Sequence, residues 1–196
     1  LLLNMEFIPR EQEINEIRRQ KWLSVHQRSR MLLIYGRRLT GKKSAVLEAL
    51  KGAPVLLFHI SGKAWPLQMK EFAGVVKSQL NQELPEGVQT LSSLFEFLLS
   101  SVGKDLSVVI DGFDELQKLD IGEYAAFARV WNAYRTHTHV NVVLCMNSHS
   151  MPDDLFLWES SPMRNCLDSY FRMNPLTVRQ FKDTVLSYYK DAGPLD

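Results

Sequence analysis

The segment Gly36-Arg37-Arg38-Leu39-Thr40-Gly41-Lys42 fits the spacing G-x-x-x-x-G-K. Glycines at those places let a backbone wrap closely around a phosphate. Successive N–H groups and a helix start supply positive potential, and the lysine reaches the terminal phosphates. The chemistry implied is capture of a nucleotide such as ATP by residues Gly36 to Ser44. A basic turn with no ligand is the plain alternative. Against it, Arg37, Arg38, Lys42 and Lys43 crowd one glycine-flanked loop, which suits a compact anion. The next position in such a loop normally carries a Ser or Thr whose hydroxyl helps hold Mg²⁺, and here it is Lys43. Ser44 comes one residue late, roughly 100° around a helix. A second ammonium can bind phosphate directly or repel the metal, so nucleotide binding is better supported than hydrolysis.

A second group of candidates closes an apolar run, Val108-Val109-Ile110-Asp111-Gly112-Phe113-Asp114-Glu115. A carboxylate at the end of a buried strand, opposite a phosphate loop, belongs in the shell of a magnesium ion, and a nearby acid orients the attacking water. Asp111 is the metal candidate. Gly112 stands where an adjacent Glu is usual, which leaves Asp114 and Glu115 for water activation. A further strand ends in Met146-Asn147-Ser148-His149, and Asn147, with Ser148 as the alternative, is placed to contact the terminal phosphate or the water.

These residues need a scaffold that brings strand ends together. Apolar runs at 30–35, 54–61, 106–111, 140–146 and 170–173 read as strands. Helical patterns span 10–28, 44–50, 66–82, 90–102, 122–136 and 177–189. Strands that are apolar throughout and alternate with helices indicate an α/β, three-layer fold around a mainly parallel sheet of about five strands. In such sheets ligands sit beyond the carboxyl ends of the strands. The four tryptophans, Trp22, Trp65, Trp131 and Trp158, read as packing residues.

The 196 residues are 45% hydrophobic and 23% charged, ordinary values for one globular domain, here taken as 1–190 with 191–196 opening a linker. No apolar run reaches the ~18 residues of a membrane span, and the first residues lack the pattern of a signal peptide. Two cysteines are too few for a disulfide framework, which suits a reducing cytoplasm. Residues 1–43 hold ten Lys and Arg against four Asp and Glu, whereas 44–196 hold thirteen against eighteen. That basic first part is the one compositional hint of nucleic acid.

With these motifs in order, the chain resembles the archaeal and bacterial ATPases of the STAND group, relatives of the AAA+ proteins. Phe7-Ile8-Pro9-Arg10-Glu11-Gln12-Glu13-Ile14 is similar to that family's F-x-x-R-E-x-E-L opening, which implies that Arg10 lies beside the adenine. Tyr35 to Lys43 resembles Y-G-R-R-R-V-G-K-T, departing at Lys43. Val109 to Leu116 resembles I-D-E-F-Q-E-L, departing at Gly112. Leu144 to Met151 resembles the family's C-G-S-S-x-S-M, and Ser161-Pro162-Met163 and Asn174-Pro175-Leu176 resemble its closing segments, with Cys166 where an arginine is usual. The resemblance implies a cytoplasmic ATP-dependent switch that hydrolyses slowly and assembles with itself or a protein partner. It also implies a following helical and winged-helix region, which is expected to be absent or removed after Asp196. Two rivals stand beside it: a degenerate nucleotide-binding module without turnover, and a DNA-associated AAA+ protein.

Overall fold

Six residues, Arg30–Tyr35, form the strand β1, and its inner four side chains have no solvent exposure. A strand buried on both sides requires a layer on each face. The structure, a computed structural model, describes residues 10–101 and 105–182. The chain runs α1 (Glu11–His26), β1, α2 (Lys42–Ala49), β2 (Val55–His59), α3 (Trp65–Leu80) and α4 (Leu91–Ser101). It continues through β3 (Ser107–Asp111), α5 (Phe113–Leu119), α6 (Ile121–Tyr134), β4 (Asn141–Met146), α7 (Asp153–Phe156) and β5 (Ser169–Arg172). Residues 178–182 open another helix. Residues 7–9, the later part of the helix expected over 177–189, and 191–196 lie outside the described residues.

All pairings among the described strands are parallel, in the order β2-β3-β4-β1-β5. The alternation of side chains along each strand divides the core in two. Met31, Leu33, Val108, Ile110, Val142 and Leu144 face α3, α4 and α6, where Phe95 stacks on Phe127 with ring centroids 4.3 Å apart. Leu32, Ile34, Val109, Val143 and Cys145 face α1 and α2, against Ile14, Ile17, Ala45 and Val46. Continuing the second alternation one step places Asp111 of β3 and His59 of β2 on the α2 side. The connections leaving β1 and its neighbour β4 cross the sheet in opposite directions, one to β2 and one to β5, which opens a crevice at their carboxyl ends.

At the other end of the sheet, the Asp168 side chain is almost fully buried, and its carboxylate meets Arg28 at 2.7 Å, Arg30 at 3.3 Å and Arg135 at 3.3 Å. It also accepts the N–H of Met31 at 2.9 Å, so one carboxylate joins α1's exit, β1, α6 and the approach to β5. The sequence pattern predicts no helix over 113–119, yet one forms there. It is the helix α5, too short for periodicity to reveal, held down by Phe113 and Leu116. Among the tryptophans only Trp131 is fully buried; Trp22 and Trp158 are exposed, Trp22 stacking on His26 at 4.2 Å. No described helix is long and apolar enough to cross a membrane.

Candidate functional site

The loop between β1 and α2 is shaped by three backbone positions. Gly36 lies under the end of β5, where an added Cβ would come within 2.3 Å of the Met173 carbonyl oxygen. Leu39 and Gly41 both take positive φ, 63° and 87°, and Gly41 caps α2 in the left-handed conformation. The first-turn N–H groups of α2, which no helical carbonyl satisfies, open beside this loop. Thr40 Oγ1 donates to the Arg37 carbonyl at 3.0 Å and closes the curl.

Lys42 stands at the centre. Its ammonium donates to the Gly36 and Arg37 carbonyls, each at 2.8 Å, and to Asn147 Oδ1 at 3.1 Å. Burial pushes its pKa down, and the nearby Asp111 and Asp114 carboxylates oppose that shift. Beside it lies a cavity of about 560 Å³, lined by Arg38, Leu39, Thr40, Gly41, Lys42, Lys43, Ser44, His59, Asp111 and Asn147. That volume falls in the usual range for small-molecule sites.

Seven of the expected loop residues thus share one cavity with Asp111 and Asn147. Gly36 and Arg37 contribute through their carbonyls to Lys42. The Arg37 side chain turns away to His149, whose other ring nitrogen lies 3.4 Å from Arg172. Arg10 does not line the cavity. It is buried beneath the loop, where Nη2 donates to Thr40 O at 2.8 Å and to Asn174 O at 2.9 Å. Asp114 accepts the N–H of Asn147 at 3.1 Å, and Glu115 pairs with Lys118 at 3.1 Å; neither lines the cavity. Ser148 donates to Ser150 O at 2.7 Å and also lies outside it.

His59 was missed. Its Nδ1 lies 3.1 Å from Asp111 Oδ2, and the two residues are register partners on β2 and β3. The signal was present in Val55-Leu56-Leu57-Phe58-His59: a polar side chain at the carboxyl end of a buried strand, in the same situation as Asp111. Gly112, with φ 78°, also has a structural reason. A Cβ there would stand 2.6 Å from the Ile60 carbonyl oxygen, so this backbone leaves no room for the usual Glu. Cys145, in register with Asp111, is wholly buried, and burial pushes its thiol up to about 12.

No protein-family model matches the sequence, and no curated protein matches it. Among solved structures, a Walker-type ATPase of Pyrococcus abyssi is similar over 97% of this chain, at 16% identity and a TM-score of 0.68. The Orc1 protein of Aeropyrum pernix, solved in complex with DNA, is similar over 95%, at 17% identity and 0.62. Cdc6p of Pyrobaculum aerophilum is similar over 96%, at 17% identity and 0.64. The chain spans 60%, 52% and 52% of those three proteins. Likeness at this identity concerns architecture, and with the all-parallel sheet it shows that the chain has the α/β fold of these Walker-type ATPase, Orc1 and Cdc6p structures.

Proposed function

We propose that this chain is an ATP-binding domain that acts as a nucleotide-dependent switch, with turnover slow or absent. The observation that carries the reading is the Lys42 ammonium, held by two loop carbonyls and Asn147 at the edge of a cavity walled by α2's first turn. A bound triphosphate would take over those contacts, with Lys43 and Arg38 adding charge from the cavity wall. Asp111 fits a metal-facing carboxylate, whereas Lys43 removes the hydroxyl that normally completes a magnesium shell. When bound, the metal would screen the phosphate charge.

Slow turnover is favoured by the placement of the acids. Asp114 is engaged by the Asn147 N–H and Glu115 by Lys118, and neither lines the cavity. Membership of the STAND group rests on the motif resemblances, as do cytoplasmic residence and assembly with itself or a protein partner. DNA association is supported by one neighbour solved with DNA and only in part by the basic bias before position 44, since Arg10, Arg28, Arg30 and Lys42 have partners within the fold. Titration with a fluorescent ATP analogue, alongside phosphate release, tests the reading. Micromolar binding with little release is expected, and a folded chain that binds no ATP overturns it.

A further inference from the structure

We propose that His59 supplies a nitrogen ligand, next to the Asp111 carboxylate, for the divalent cation that accompanies the nucleotide, so that the site prefers a first-row transition ion to Mg²⁺. The proposal rests on the nucleotide-binding reading above and adds the identity of the metal. His59 and Asp111 end adjacent parallel strands in the same register and both line the cavity that holds Lys42 and Asn147. The partner of His59 Nδ1 is Asp111 Oδ2, and the imidazole is otherwise exposed. Their 3.1 Å separation has a second meaning. It is the length of a hydrogen bond that a cation would have to displace, and two ligands bound at about 2.1 Å and at right angles to each other stand about 3.0 Å apart, so the exchange would need little change in their separation.

The chemistry of the donor set follows. Mg²⁺ demands oxygen ligands and near-ideal octahedral geometry, and the hydroxyl that would serve it at position 43 is replaced by an ammonium. A neutral imidazole suits the later first-row ions better, with affinity rising from Mn²⁺ to Co²⁺. The Lys43 charge opposes every dication alike and does not alter that order. Among the described residues no cluster of three or more His, Cys, Asp or Glu could hold a metal. The ion would therefore be shared between this pair, the nucleotide phosphates and water. The plain alternative is that the His59–Asp111 hydrogen bond only clasps two strand ends.

The test uses the whole chain and its His59→Ala variant, a change at an exposed side chain. ADP affinity is measured in EDTA, Mg²⁺, Mn²⁺ and Co²⁺ by displacement of a fluorescent analogue. Mn²⁺ bound with and without ADP is examined by pulsed EPR for coupling to an imidazole ¹⁴N. The expected result is a preference for Co²⁺ and Mn²⁺ over Mg²⁺ that falls about tenfold in the variant, with loss of the nitrogen coupling. Equal metal preference in both proteins, with no coupling that depends on His59, overturns the proposal and leaves a clasp only. If ADP binds in no condition, the nucleotide reading fails, and the Mn²⁺ spectrum without ADP still decides whether His59 is a ligand.

Discussion

Lys42 Nζ and Asn147 Oδ1 lie 3.1 Å apart across 105 residues of sequence, which joins the loop between β1 and α2 to the end of β4. Asn147 is held in turn by Asp114, which accepts its N–H at 3.1 Å. The chain Lys42–Asn147–Asp114 thus gives the loop, β4 and α5 a common polar seam. Asp114, a sequence candidate for acting on water, is thus also the partner of the Asn147 N–H.

Replacing Lys42 by Ala removes the one buried cation of the cavity. Hydrogen bonds to charged groups contribute about 1.5–3 kcal/mol, so ATP affinity is expected to fall about 10- to 100-fold. Fluorescent nucleotide titration measures this, with circular dichroism to show that the variant is folded. Unchanged affinity in a folded Lys42→Ala protein would remove the phosphate-loop assignment.

The Lys43→Thr variant restores a hydroxyl and deletes a cation that repels a divalent ion. ATP binding is expected to become more dependent on Mg²⁺, with apparent metal affinity rising about tenfold. Phosphate release is expected to stay low, since Asp114 and Glu115 remain engaged elsewhere. Mg²⁺ titrations and release assays on the same samples separate the two effects.

Gly112→Glu would recreate the acid usual beside Asp111, yet it is expected to destabilise. A left-handed φ of 78° carries a steric cost for a side chain, and the new Cβ would sit 2.6 Å from the Ile60 carbonyl oxygen. A loss of about 2 kcal/mol or more follows from strain and displacement together, read from urea unfolding. A stable Gly112→Glu protein with raised phosphate release would contradict this.

Acid sensitivity is expected from Glu16 on α1. Its carboxyl is lowered from 4.5 to about 2, chiefly by hydrogen bonds from Arg19, against the opposing effect of burial and with help from Gln20 and Ser169. A carboxylate with a depressed folded pKa contributes stability that is complete above its unfolded value and disappears as pH falls through the folded one. The difference in urea midpoint between the parent and Glu16→Gln should therefore be constant above pH 4.5 and shrink to nothing toward pH 2. A difference of undiminished size at pH 2 would assign the effect to packing.

What was legible in the sequence was what is local. The apolar strands, the glycine spacing around Lys42 and the carboxylate closing β3 are patterns within a few residues of one another. α5 escaped because seven residues make two turns, and Phe113 with Leu116 is a single helical pair. The three arginines around Asp168 come from positions 28, 30 and 135, and no periodicity connects them. Arg10 is similar: the family resemblance implies a place beside adenine, and no local pattern announces its bonds to Thr40 and Asn174, 30 and 164 residues away.

Arg10 has a mechanical consequence. One guanidinium nitrogen grips both the phosphate loop, at Thr40 O, and the strand exit, at Asn174 O. One residue earlier, the N–H of Met173 donates to Tyr35 O at 2.7 Å, while its carbonyl oxygen takes the space a Cβ at position 36 would need. The phosphate loop and the chain leaving β5 are therefore coupled like two arms of one lever. An outward shift of the loop must either break the Arg10 grip or carry residues 173 and 174 with it, and whatever is attached beyond them moves as the load.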